Sequence, residues 1–479
     1  MNFGKLKMYV GGKLIDSISK SKKTIFCPAN NQPIANLSWA EKVDSENALK
    51  AAQIGFKNWS KLKLDQRKKW MDKFKEAVIN NEEILRKAIM YEMGKTYEGS
   101  KEDIDSLINS LDFYPDAMKN HFSDSIIEDK ENTHNHTLKN YPIGVVVAYL
   151  AWNFPLLNLA FKIGPALASG CSIIIKPSEE SPVSAYLIGK ILNDINFPAG
   201  VVNIICGEPA IVATTLSKSK IPRLITMIGS TSTAKKVYAD SSTSIKRLSM
   251  ELGGNAPFIV FDDADLDAAI DLAIGIKFGN SGQICVAANR FFIHDKIYDT
   301  FLKHYLERVK KLKLGFGEDS SPDMGPLITV KSRDRILDLI SDSIKNGAKL
   351  EYGGKIPENF SDGNWLEPTV ITNVSQDMKI FNEEIFGPVA SIIKFSNDNE
   401  VLKLANSTDY GLASYIFTNN KKRIDFFSEN LNFGEVQVNG IKYAIYLPHG
   451  GIKESGIGHD CSHLALYDYL TKKRISVAL

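Results

Sequence analysis

Between Tyr141 and Ser230 the chain carries four short apolar runs: "GVVVAYL" (144–150), "SIIIKPS" (172–178), "VVNIIC" (201–206) and "RLITMIGS" (223–230). The segments "NLAFKIGPALAS", "VSAYLIGKILNDI" and "AIVATTLSKS" separate them, and "TAKKVYADS" follows the last; all four are helical in pattern. Strand, helix, strand repeated at this spacing predicts a parallel sheet covered by helices on both faces. Ligands of such sheets bind beyond the carboxyl ends of the strands. Asn153 follows the first run, Lys176 and Glu179 close the second, and Gly229 with Ser230 ends the fourth.

A second alternating block begins near Ala256, with "APFIVF" as strand, "DLDAAIDLAIGIKFGNSG" as helix, "RFFIH" as strand and "IYDTFLKHYLERVKKL" as helix. Cys285 falls on a loop just past the first of these helices. A chain of 479 residues is too long for one core. One domain is therefore expected before Met250 and another after it, with a cleft between them. From Asp65 to Met93, apolar residues at intervals of three and four predict amphipathic helix. "SDSIIEDKENTHNHTLKNY" (123–141) is polar and lacks a core pattern, which suits a surface hairpin or an arm reaching another subunit.

Composition narrows the function classes. A net charge of +2 with dispersed lysines gives no nucleic-acid surface. No apolar run has the length of a membrane span, and the N-terminal stretch has no apolar h-region. Five widely spaced cysteines argue against a disulfide framework and for a reducing compartment, so a cytoplasmic protein is expected.

Three residues form a possible kit for acyl chemistry. Glu251, in "SMELGGNAP", is either a surface or helix-capping acid or a general base for water. Cys285, in "GNSGQICVAANR", is either an inert buried thiol or a nucleophile. Asn153, in "AWNFP", is either a turn residue or an amide donor to an oxyanion. Neither "HDCSH" (459–463) nor "THNHT" (133–137) has a structural-zinc spacing, and no metal is expected. The two histidines of the second segment fit subunit contacts better.

"WNFP", "KPSEESP", "IGST", "MELGGNAP", "GQIC", "EEIFGPV" and "PHGGIKESGIG" occur together in this order. On these motifs the chain resembles the NAD(P)-dependent aldehyde dehydrogenase superfamily over essentially its whole length, and in overall look the succinate-semialdehyde dehydrogenase-like branch. The resemblance implies an α/β fold with a Rossmann-variant cofactor domain (1–120 and 140–250) and an α/β catalytic domain (251–465). A small β oligomerisation element (121–139 and 466–479) would make a homodimer or homotetramer.

By the same resemblance, Cys285 would attack an aldehyde, and Asn153 with the Cys285 backbone N–H would hold the oxyanion. Glu251 would activate the water that clears a thioester. Trp152, Lys176, Ser178, Glu179, Gly229, Ser230, Thr233, Leu252, Glu384 and Phe386 would bind the cofactor. Lys176 and Glu179 would hold the adenosine ribose, Glu384 would hold the nicotinamide ribose and Phe386 would pack beside the ring. No G-x-G-x-x-G is present, and "GFGEDS" at Gly315 lacks the third glycine, so the cofactor rests on the resemblance. NAD is favoured over NADP, because Glu179 would meet a 2′-phosphate with like charge, although Lys176 stands by as a compensating cation.

Phe161, Lys162 and His449 are the candidate substrate contacts. Relatives specialised for succinate semialdehyde usually place arginine beside the catalytic centre, and the corresponding positions here are Phe161 and Gly279. Lys162, Lys442 or His449 would have to substitute. His449 replaces a usual aromatic or apolar residue and reads either as a polar substrate contact or as a half-exposed histidine. Succinate semialdehyde, glyceraldehyde, lactaldehyde and simple aliphatic aldehydes are the candidate substrates. The rivals are a CoA-acylating dehydrogenase, which would generally dispense with Glu251, a thiol esterase, and a non-catalytic dinucleotide-binding protein.

Overall fold

The computed structural model describes residues 1–318, 321–360 and 362–479. The last two residues of "GFGEDS" lie outside that set.

Each of the four apolar runs is a strand: Val145–Tyr149, Ser172–Lys176, Val202–Ile204 and Pro222–Ile228. With Arg247–Glu251 they form five parallel strands in the spatial order 3-2-1-4-5. Val145–Tyr149 and Pro222–Ile228 are neighbours although two strands intervene in sequence, so the chain reverses its winding there. That switch point opens a crevice at the carboxyl ends. Met8–Val10 and Lys13–Ile15 extend one edge antiparallel. Gly456–Ile457, from inside the expected catalytic segment, closes the other edge against Arg247–Glu251.

The second sheet has seven strands, ordered Lys349–Tyr352, Thr369–Thr372, Val389–Phe395, Ala288–His294, Ala256–Val260, Ala413–Phe417 and Glu435–Val438. All neighbours are parallel except the first pair. Successive side chains of a strand point to opposite faces. Thus Ile259 and Phe292 enter one core with Ile336 and Phe381. Phe258 and Phe291 enter the other with Phe301 and Tyr305. A sheet buried on both faces needs continuous apolar strands, which is why "APFIVF" shows no alternation.

The Asp65–Met93 pattern is two helices, Leu64–Asn80 and Glu82–Met93. Asn81 breaks them at φ −114° and ψ 15°, closing the first and opening the second. Apolar periodicity continues across the break, so it did not reveal it. The polar 123–141 stretch forms strands Ser125–Ile127 and His134–Pro142, and the latter pairs antiparallel with Leu470–Ala478 in a three-stranded sheet. Among the described residues no helix is long and apolar enough to cross a membrane.

Candidate active site

Cys285 sits on a turn that two unusual residues prepare. Helix Leu266–Phe278 ends at Gly279, and Asn280 and Ser281 then adopt φ of 48° and 56°. Two consecutive non-glycine residues in the left-handed region cost on the order of 1–3 kcal/mol each unless their surroundings hold them. Asn280 Nδ2 donates to the Asn153 carbonyl at 3.0 Å, and Ser281 Oγ donates to the Gly325 carbonyl at 2.7 Å. Gln283 adds a third anchor, accepting from the Ile328 N–H at 2.9 Å.

Glu251 ends a strand of the first sheet, and "GG" lets the turn that carries Cys285 lie against the chain that follows it. A Cβ on Gly254 would stand 2.4 Å from the Cys285 carbonyl oxygen, so only glycine permits this approach. Asn153 is buried; its Nδ2 donates to the Gln283 carbonyl at 3.1 Å, and Asn158 donates to its Oδ1 at 3.3 Å. The three residues proposed for acyl chemistry therefore converge from the loop at residue 153, the end of a strand of the first sheet and the turn after helix Leu266–Phe278.

They also join two cavities. One, of about 430 Å³, is lined by all ten residues expected to bind cofactor, together with Asn153, Glu251 and Cys285. Lys176 Nζ is ion-paired with Glu179. Ser230 caps helix Thr231–Ser241 by accepting from the Thr233 N–H, so that helix presents its N-terminus here. Glu384 accepts from the Gly254 N–H at 2.8 Å. Trp152 and Phe386 meet edge to face with centroids 5.3 Å apart. Anchored carboxylates, a helix N-terminus and an aromatic wall have the chemistry a dinucleotide needs. Ser332 and Arg335, from helix Val330–Lys345, line it too. The sequence reading missed them, and no local motif marks them.

The other cavity, of about 1450 Å³, is lined by Asn153, Phe161, Glu251, Cys285, Tyr443 and His449 among others. Its lining carries the acids Glu102, Asp105, Asp112, Asp116 and Glu435, against Lys101 and Lys442. Lys101 is already paired with Asp105 at 2.6 Å. Among the described residues no arginine lines this cavity. Gly279 does not line it either.

Two expectations require correction. Lys162 does not reach the cavity: it is fully buried, with Nζ 2.6 and 2.7 Å from the two carboxylate oxygens of Asp460. A lysine on an apolar helix needs a buried counter-charge, and Asp460 supplies it. His449 is not half-exposed but buried, 7 % accessible. Its Nδ1 lies 2.6 Å from Glu435 Oε1 and its Nε2 lies 3.6 Å from Glu251 Oε1. Glu435, on strand Glu435–Val438, was missed because nothing in its neighbourhood announces a partner 14 residues on. In "HDCSH", Asp460 is the partner of Lys162, Cys461 is buried and His463 stacks on His121 with centroids 4.2 Å apart.

Burial, reinforced by the charge of Glu251, pushes the Cys285 thiol up to about 12. Burial works to lower His449, but the neighbouring Cys285, Glu251 and Glu435 outweigh it and hold the imidazole well above its ordinary value. Both shifts favour the protonated forms of the Cys285 thiol and the His449 imidazole. Burial also raises Glu384, to about 7.

The sequence matches the aldehyde dehydrogenase family over residues 15–475. It is 37% identical over 467 residues to the mitochondrial succinate-semialdehyde dehydrogenase of Oryza sativa subsp. japonica, covering 97% of this chain and 88% of that one. It is 36% identical over 460 residues to a probable NADP(+) succinate-semialdehyde dehydrogenase of Sinorhizobium fredii, covering 96% and 93%. The crystal structure of betaine aldehyde dehydrogenase from Staphylococcus aureus in complex with NAD+ superposes with a TM-score of 0.95 at 32% identity, covering 98% of this chain and 95% of that one. A thiol, a carboxylate and an amide side chain where two cavities join agree with this kinship over residues 15–475. The chain belongs to the aldehyde dehydrogenase family and is an NAD(P)-dependent enzyme that oxidises aldehydes to carboxylic acids.

Proposed function

We propose that Cys285 is the nucleophile, Glu251 the base and Asn153 an oxyanion donor, acting on a neutral or positively charged aldehyde. The observation that carries the assignment is the meeting of the Cys285 and Glu251 side chains, within 4.8 Å, where the two cavities join. The thiol is protonated at rest, so it must lose its proton as it attacks. Glu251 is the carboxylate placed to take it, whereas His449 already carries its proton.

Sulfur adds to the carbonyl carbon and the oxygen becomes an oxyanion. One Nδ2 hydrogen of Asn153 is committed to Gln283, leaving the other for that oxygen. Nicotinamide, when bound, accepts the hydride that turns the thiohemiacetal into a thioester. Glu251, its proton lost to cavity water, then removes a proton from the water that attacks the thioester. The carboxylic acid departs and the Cys285 sulfur is regenerated. The presence of Glu251 favours hydrolysis over transfer to CoA.

The ten residues lining the smaller cavity are assigned to the cofactor. NAD is favoured, because the Glu179 carboxylate faces the position of a 2′-phosphate and Lys176 is already neutralised by it. Substrate charge follows from the acidic lining of the larger cavity: a distal carboxylate finds no bidentate arginine there. Exposed Ile126 and Val477 on the three-stranded sheet, with exposed Leu479 just past it, support a homo-oligomeric contact. Five free cysteines suit a reducing, cytoplasmic setting.

Initial rates of reduced-nicotinamide formation over succinate semialdehyde, glyceraldehyde, lactaldehyde, an amino-aldehyde and an aliphatic aldehyde, each with NAD and with NADP, test the reading. Preference for the neutral or cationic aldehydes supports it; a higher kcat/KM for succinate semialdehyde overturns the substrate assignment.

A further inference from the structure

The proposed nucleophile and the two side chains beside it are all metal donors. Cys285 Sγ, His449 Nε2 and Glu251 Oε1 lie within 4.8 Å of one another, with Nε2 and Oε1 separated by 3.6 Å. A tetrahedral ion with bonds of about 2.0–2.3 Å holds its donors roughly 3.5 Å apart. The nitrogen and oxygen already stand near that separation, and the sulfur turns on a single Cα–Cβ bond.

Two independent features suggest a site and not a chance gathering. Glu251 Oε1 is buried and has no hydrogen-bond partner, an expensive state for a carboxylate oxygen. Glu435 Oε1 lies 2.6 Å from the opposite ring nitrogen of His449. A carboxylate gripping the far nitrogen of a ligating histidine fixes the ring and strengthens its donor nitrogen.

We propose that Cys285, His449 and Glu251 form a binding site for a thiophilic divalent cation of the zinc class, oriented by Glu435 and inhibitory when filled. Thiolate, imidazole and carboxylate together select such an ion over magnesium or calcium, which take oxygen ligands. On binding, the thiol and imidazolium release their protons to solvent. The thiolate and carboxylate charges balance the ion, and the cavity leaves a fourth position for water. Sulfur bonded to the ion cannot attack a carbonyl, so the ion competes with aldehyde. The binding site rests on geometry alone; only its inhibitory effect depends on the roles assigned to Cys285 and Glu251.

The test uses the full chain. Cobalt(II) is added as a spectroscopic probe and zinc as the inhibitor, to wild type, Cys285→Ser, His449→Phe and Glu435→Gln, with circular dichroism to check folding. Expected are a thiolate-to-cobalt charge-transfer band in wild type, absent in Cys285→Ser, and zinc inhibition competitive with aldehyde. Protection of Cys285 from alkylation by zinc should accompany them. Glu435→Gln should weaken zinc about 10- to 100-fold, and His449→Phe should weaken it further. An absent band in wild type, or zinc affinity within about threefold of wild type in folded His449→Phe, overturns the site. Binding without inhibition overturns instead the assignment of Cys285 as nucleophile.

Discussion

Lys162 and Asp460, 298 residues apart, make a buried, doubly hydrogen-bonded ion pair. Burial leaves the Asp460 carboxyl above its ordinary range, against the pull of Lys162. Lys162→Met should lower stability by about 3–5 kcal/mol by stranding a buried charge, and adding Asp460→Leu should restore much of it. Denaturant unfolding of the single and double variants checks this. Aldehyde KM should move little in folded protein, because Lys162 does not line the cavity.

Removing the proposed base separates two chemical steps. Glu251→Gln should release about one equivalent of reduced nicotinamide per site and then slow by about 10²–10⁴-fold. Rapid-mixing absorbance should show the burst, and mass spectrometry the acylated Cys285. Cys285→Ser should show neither while still binding cofactor. Full steady-state turnover in either variant removes the assigned role.

Glu384 predicts a pH dependence of cofactor binding. Its carboxyl is raised to about 7, chiefly by burial, and in the ribose-binding role proposed for it only the ionised form would accept from both hydroxyls. Below pH ~7 the NAD dissociation constant should rise, approaching tenfold per pH unit. Glu384→Gln should weaken binding at pH 8 and flatten the profile in fluorescence titrations. For stability the sign is opposite: a raised carboxyl costs nothing below the ordinary value of 4.5 and becomes destabilising as pH rises through 7.

The Lys176–Glu179 pair predicts a shift in cofactor choice. Glu179→Ala removes the like charge opposing a 2′-phosphate and frees Lys176 to meet it. The NADP-to-NAD ratio of kcat/KM should rise about tenfold or more. An unchanged ratio would show that neither residue governs the choice.

What could be read along the chain was local. The runs 144–150 and 172–178 declared strands because a doubly covered sheet demands unbroken apolar stretches, and Asn153 and Gly229 fell at strand ends because period and spacing counted them there. The break at Asn81 escaped notice because both flanking helices keep one apolar face. Ser332 and Arg335 were missed because their helix joins the cofactor cavity only by packing.

By itself the sequence determined the parallel strands of the first sheet and the family, since each is written in contiguous periodicity or motif. Tertiary structure alone decided that Lys162 belongs to Asp460 and that His449 stands between Glu251 and Glu435. A buried charge takes whatever partner the folded chain brings within reach, and that choice leaves no periodic trace in the residues on either side.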